Sequence, residues 1–270
     1  MYELILDGIK WSFSSVNCYE NCPKCFFLSY VEALPKVNNA FAQWGSFGHS
    51  LLEGYYQGKY ELFDLAQEYE DGYTQNVTIP FPNNKYVDLN QKYYEAGLQY
   101  FCSFQGLDSK YEVIAVEQKI NNYIGNRKFV GFIDLILRDK DDCRYVIVDH
   151  KSKSGFKNRD EESDYLRQLY LYSSYIKDKY GEFPKELIFN MFRAQDTVVE
   201  KFNERDYDKA IQWFLSTIEK IYHDKKFVDK IAFEYKNKKK KLSEYKRNDY
   251  FCNELCGVRT HCKRSFHGKG

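Results

Sequence analysis

Three consecutive β-rich runs in the middle of the chain limit its fold more than any other feature. They are Tyr111–Ile120, Lys128–Asp139 and Arg144–Ser154. Valine, isoleucine, phenylalanine and tyrosine dominate them, and such residues fit a pleated, half-buried surface. Turn-type residues at Asn122–Arg127 and Asp139–Asp142 separate the runs. Links this short join strands that are antiparallel neighbours, so the spacing predicts a three-stranded antiparallel meander. Helical periodicity follows from about Glu161 to Lys179. Two more strand candidates come next, Glu186–Ala194 and Asp196–Phe202, and then a helix from Asp206 to about His223.

The first hundred residues read as helical. Ser14 or Ser15 is a candidate cap for a helix running towards Tyr30. Phe47, Leu51, Leu52 and Tyr55 recur at helical spacing, and a further helix is expected over Asn90–Phe104. The order is helices, then β-β-β-α-β-β-α. It predicts an α/β fold, a mixed sheet containing the meander and flanked by helices. We expect one domain over 1–270, made of an N-terminal helical layer (1–110), an α/β core (111–222) and a basic, cysteine-rich C-terminal appendage (223–270).

Charge is unevenly spread. The net charge is only +1, yet residues 224–270 carry 14 Lys and Arg against 6 Asp and Glu, which leaves −7 for the remainder. Lys238–Lys241 is the densest basic run. A basic tail on an acidic body suits a polyanion partner, although such a run is also what a solvated face looks like. No apolar stretch approaches the ~18 residues that a membrane span needs. The start, MYELILDGIKWSF, interrupts any signal-like run with acids and a lysine. A cytoplasmic location is expected, where eight cysteines are poor candidates for structural disulfides.

Two strand-borne carboxylates carry the chemistry. Asp134 interrupts the apolar segment Gly131–Ile136. Asp149 and Lys151 end the next strand, in Val146-Ile147-Val148-Asp149-His150-Lys151. Residues two apart in a strand share a face, so Asp149 and Lys151 project together and His150 points the other way. A hairpin between the strands brings Asp134 beside Asp149. Converging carboxylates suit a hard cation such as Mg²⁺ or Mn²⁺. A lysine beside them is suited to orienting an attacking water and stabilising phosphate charge. Glu117, read as the end of the preceding β-run, either lines the same pocket or faces solvent.

In order and spacing, these residues resemble the motifs of RecB-type nucleases of the PD-(D/E)xK superfamily. Gly131-x-x-Asp134, Asp149-x-Lys151 and Gln168-x-x-x-Tyr172 match successive motifs. Gly45-Ser46-Phe47-Gly48-His49 resembles the upstream Gly-x-x-x-His motif, with Glu53 one turn later. The resemblance implies a restriction-endonuclease-like core and metal-dependent phosphodiester hydrolysis. It also implies that His49 joins Asp134 and Asp149 as a metal ligand, and that Gln168 and Tyr172 lie near the lysine or the DNA.

Six cysteines fall in two terminal groups, Cys18, Cys22 and Cys25, and Cys252, Cys256 and Cys262; Cys102 and Cys143 read as packing residues. Four thiolates can hold a 4Fe–4S cluster or a structural Zn²⁺. One RecB-like subgroup, including AddB-type and CRISPR-associated exonucleases, carries one cysteine before the nuclease core and three after it. Resemblance to that subgroup implies Cys22, Cys252, Cys256 and Cys262 as cluster ligands stapling the chain ends together. Two departures stand out. Cys252-x-x-x-Cys256 is one residue longer than the common form, and Cys18 or Cys25 could replace Cys22. His261 is a further candidate if the metal is zinc.

The function expected from the sequence is therefore a phage or CRISPR-linked, metal-dependent deoxyribonuclease, an exonuclease on single-stranded DNA ends. Basic residues 225–247 and nearby aromatics would track the strand. No Walker A sequence is present, so a motor activity would come from a recombination, replication or CRISPR-adaptation partner. The alternatives are an inactive nuclease-fold DNA-binding or assembly subunit and a structure-specific endonuclease.

Overall fold

The computed structural model describes residues 2–223 and 250–262. The described chain forms two compact units, one drawn from 40–122 and 131–210, the other from 1–39, 123–130 and 211–270.

The larger unit carries helices α4 (Ala40–Tyr56), α5 (Leu65–Asn76), α6 (Leu89–Ser103) and α7 (Arg159–Tyr180). The strands are β1 (Tyr111–Ile124), β2 (Arg127–Asp139), β3 (Tyr145–His150), β4 (Glu186–Met191) and β5 (Asp196–Lys201), side by side in that order. β2 pairs antiparallel with β3, β3 parallel with β4, and β4 antiparallel with β5. The sheet is thus mixed, with the expected meander at one side and α7 as the crossover to the parallel pair. The runs Val146–Val148 and Leu187–Phe189 are close to continuously apolar and buried, as strands covered on both faces must be. Edge strand β5 instead alternates between half-buried and exposed residues.

The helical layer holds an unusually aromatic core. Trp44, Phe47, Tyr69, Tyr93, Tyr100 and Phe192 belong to one buried cluster with Leu51 and Leu52. Tyr69 organises it. Its hydroxyl accepts the Trp44 indole N–H at 2.9 Å and lies within hydrogen-bonding distance of the carbonyls of Tyr93 and Tyr94. A second cluster, Tyr111, Leu135, Leu137, Val146, Val148 and Ile188, covers one face of the sheet. The α7 ends match helix-capping chemistry: Asn158 caps the N-terminus, and Gly181 closes the C-terminus in the left-handed conformation at φ 85°.

The smaller unit contains α1 (Tyr2–Asp7), α2 (Phe13–Asn21), α3 (Pro23–Phe26) and the C-terminal part of α8 (Glu204–His223). The expected helix towards Tyr30 is broken. Pro23 lacks an amide hydrogen and cannot continue α2, so Cys22 ends that helix and caps α3. The cap of α2 is Ser12, not Ser14 or Ser15. The Ser12 hydroxyl accepts from the Ser15 amide, and the Ser15 hydroxyl accepts in return from the Ser12 amide. The turn expected over Asn122–Arg127 shrinks to Gly125 and Asn126, with Gly125 at φ 57°. Val37 N–H donates to the Gly257 carbonyl at 2.7 Å, and Arg259 donates to the Asn38 carbonyl at 2.6 Å. These bonds join the early and late segments of the unit. Lys238–Lys241, and with it the basic stretch 225–247, lies outside the described residues. Among the described residues, no helix is long and apolar enough to cross a membrane.

Candidate active site

The site forms where β2 and β3 emerge from their pairing, beneath α4 and α7. Leu135 faces Val148 in the antiparallel register, and the next step outward brings Asp134 to the level of Asp149. The His150 amide donates to Asp134 Oδ2 at 2.7 Å. Lys151 is held extended by its own amide, which donates to the Asn190 carbonyl. Its Nζ lies 2.6 Å from Asp149 Oδ2 as a charge pair without hydrogen-bond angles, and donates to Gln168 Oε1 at 3.0 Å. Gln168 Nε2 donates onward to the Tyr172 hydroxyl at 2.8 Å. Four positions apart on α7, Gln168 and Tyr172 share the helix face that looks onto the lysine.

Gly131 explains why this relay fits. A Cβ there would sit 2.8 Å from the Tyr172 ring, so the glycine of Gly131-x-x-Asp134 is the floor on which that ring rests. Gly48 plays a similar part on α4, where a Cβ would meet the buried Phe192 ring at 2.8 Å. Its absence lets the helix lie close and brings the neighbouring His49 Nδ1 to 3.5 Å from Asp134 Oδ2.

Glu117 completes the group. One ligand atom from each of His49, Glu117 and Asp134 lies within 4.8 Å of the other two, the one such group among the described residues. Glu117 is not at a strand end as the sequence suggested. It sits mid-way along β1 in a left-handed conformation, φ 49°. A non-glycine residue there costs ~1–2 kcal/mol, so local strain accompanies its placement in the cavity.

The electrostatics favour a cation. Burial, then the charge of Asp149, pushes the Asp134 carboxyl up to about 8. Burial, with Glu53 and Asp149 adding to it, also raises Glu117. Burial lowers His49, which leaves its imidazole neutral and free to ligate. One imidazole and converging carboxylates, each destabilised by the others' charge, fit a hard divalent ion such as Mg²⁺ or Mn²⁺.

The His150 ring stacks on Tyr56 of α4, and its Nδ1 faces the Asn190 amide at 3.0 Å. Two cavities open at the site. One, about 500 Å³, is lined by His49, Glu53, Glu117, Asp134, Phe41 and Phe132 among others. The other, about 350 Å³, shares His49 and Asp134 and adds Asp149, Lys151, Lys153 and Tyr165. Sequence reasoning left Phe132, Lys153 and Tyr165 without roles. The only local signal was spacing: Phe132 is two before Asp134, and Lys153 two after Lys151.

In the smaller unit, Cys25 Sγ lies 3.8 Å from Cys256 Sγ. Of the three N-terminal cysteines that the sequence offered, Cys25 is the one at this distance from Cys256, and Cys22 Sγ accepts the Cys25 amide. Hydrogen bonding with Cys18 is the largest effect raising the Cys25 thiol, to about 12. Cys25 and Cys262 pack against the buried cluster of Phe27, Leu28, Cys256 and Val258.

A family model, the PD-(D/E)XK nuclease superfamily, matches residues 10–263. The chain belongs to this superfamily. Its five-stranded mixed sheet flanked by helices is the restriction-endonuclease-like core of PD-(D/E)XK proteins. Membership implies a metal-dependent nuclease acting on DNA, and PD-(D/E)XK nucleases use Mg²⁺ or Mn²⁺. No curated protein matches the chain significantly.

Proposed function

We propose that this PD-(D/E)XK protein is a Mg²⁺- or Mn²⁺-dependent exonuclease acting on single-stranded or free DNA ends. The observation that carries the reading is the relay Tyr172–Gln168–Lys151–Asp149, which fixes a lysine on the buried carboxylate of Asp149, with the half-buried Asp134 on the adjoining strand. In this reading Asp134, Asp149 and His49 hold the metal, with Glu117 at the same ligand group. A bound divalent ion would lower the pKa of a water and polarise the phosphoryl oxygen. Lys151 orients that water and neutralises charge on the phosphate, and Gln168 and Tyr172 keep its Nζ in place.

Support for an exonuclease of the AddB-type or CRISPR-associated subgroup is less direct. It comes from the motif order and from the cysteines. Cys25 and Cys256 bring the two terminal cysteine groups into sulfur contact, as a 4Fe–4S cluster or a Zn²⁺ ion tying the chain ends would require. Cys252 and Cys262 are the remaining C-terminal ligands in this reading, with Cys22 or Cys18 alongside Cys25. The superfamily match spans residues from both units, in keeping with one nuclease domain.

The deciding experiment uses purified full-length protein with Mn²⁺ on linear and closed circular single strands. Wild type should degrade linear DNA. Asp149→Ala and Lys151→Ala should lose cleavage and still bind. Persistent cleavage in both variants would overturn the site assignment. Equal cutting of closed circles would replace the exonuclease reading with an endonuclease. For the cysteines, a colourless anaerobic preparation with stoichiometric zinc would exclude the iron–sulfur cluster.

A further inference from the structure

The two cavities that share His49 and Asp134 differ beyond those residues: lysines enter only the smaller among the described lining residues. Lys151 and Lys153 line the smaller one; Lys153 Nζ pairs with Glu161 at 2.7 Å and lies 4.2 Å from the centre of the Tyr165 ring. Among the described residues no lysine or arginine lines the larger one, which combines Glu53, Glu117 and Asp134 with two phenylalanines. Phe132 is 52% exposed there, on the strand that carries Asp134 and two residues before it. Phe41 lines the same cavity and is held rigidly, its ring edge-on to Phe81 at 4.9 Å and to Tyr93 at 5.2 Å.

A phenyl ring neither ligates a hard cation nor moves a proton. What it offers a ligand is a flat apolar π-face, which suits another flat ring. A phosphate is drawn to Lys151 and Lys153 and to a divalent ion at the shared His49 and Asp134, and the described residues lining the larger cavity beyond offer it no further cation. One nucleotide spanning the shared residues therefore sorts itself, with its phosphate towards Lys151 and Lys153 and its base towards Phe132 and Phe41.

Resting on the nuclease reading above, we propose that Phe132, backed by Phe41, is the stacking platform for an unpaired nucleobase next to the scissile phosphate. In the interior of a duplex both faces of each base are covered by its neighbours. A side-chain ring beside the cleaved bond then finds no face to stack on. The platform selects single strands and frayed ends over intact duplex.

The test uses short oligonucleotides carrying one 2-aminopurine, whose fluorescence is quenched by stacking, with Ca²⁺ in place of the catalytic ion. Full-length Phe132→Leu keeps apolar bulk at an exposed position but removes the π-face. It should bind the single strand roughly 5- to 150-fold more weakly, the range expected for one lost base–aromatic stack. It should also lose the quenching, and in Mn²⁺ its KM should rise more than its kcat falls. Phe132→Trp should restore both binding and quenching. Undiminished binding and quenching in Phe132→Leu would overturn the platform while leaving the nuclease intact, because that variant would still cleave. Equal losses on single strands and on the interior of a closed duplex would also overturn it. If wild-type protein neither binds nor cuts DNA, the nuclease reading fails first and the platform with it.

Discussion

Replacing Gly131 by alanine puts a methyl group 2.8 Å from Cε1 of Tyr172 and 3.4 Å from its Cζ and hydroxyl oxygen. Carbon atoms rest at ~3.5–4.0 Å, so the ring must retreat by about 0.7 Å or more. It has little room, because Tyr172 is buried and its hydroxyl is bound to Gln168. Overpacking of this kind costs ~1–3 kcal/mol. Alanine also restricts the unfolded chain, which returns ~0.4–1 kcal/mol where the backbone tolerates it. The clash wins, and a net loss of about 1–2 kcal/mol is expected in urea unfolding. The displacement passes along Gln168 to Lys151, and misplacing a catalytic group by ~1 Å can cost ~100-fold in rate. Cleavage should therefore fall about 10- to 100-fold. The decisive control is the same substitution in a Tyr172→Leu background, where the ring is gone. There Gly131→Ala should be neutral or stabilising. An equal loss of stability in both backgrounds would refute the packing explanation.

Metal binding should depend on pH. The Asp134 carboxyl is raised far above its usual range, so the unfolded chain ionises it first and the native state holds the extra proton between about pH 4 and 8. Stability of the metal-free protein should fall as pH rises through that window. A divalent ion competes with the same proton, so Mn²⁺ should raise the melting temperature far more near pH 8 than near pH 6. His49 is shifted down by burial, so below about pH 6.5 the unfolded chain binds its proton first and opposes the Asp134 effect; the fall in stability is therefore clearest between about pH 6.5 and 8. A pH-independent Mn²⁺ shift in thermal unfolding would count against Asp134 as a ligand. In the helical layer, Tyr69→Phe leaves the buried Trp44 N–H without its acceptor and should cost ~1–3 kcal/mol in urea unfolding. A loss below ~0.5 kcal/mol would show that the indole finds another partner.

The sequence by itself determined the elements and the identity of the candidate chemistry. Strand propensity and turn residues marked β2 and β3, and Asp134, Asp149 and Lys151 stood out because charge is costly inside apolar strands. The period of two placed Asp149 and Lys151 on one face, and the period of α7 placed Gln168 over Tyr172. These are local relations, set by backbone geometry over a few residues.

The motif resemblance anticipated that His49 joins Asp134, but only the tertiary structure decided how the ligand group closes. His49 and Glu117 reach Asp134 from α4 and from a strained position within β1, and no local pattern encodes a meeting across such separations. The exposed Phe132 in the cavity that also holds Glu53, Glu117 and Asp134 was equally invisible, since an isolated phenylalanine in a strand reads as core. The sulfur 3.8 Å from that of Cys256 belongs to Cys25, one turn into the helix that follows the break at Pro23. Burial did the rest. The Asp134 carboxylate is ordinary in composition and becomes a strong candidate cation ligand only where packing removes its water and sets Asp149 beside it.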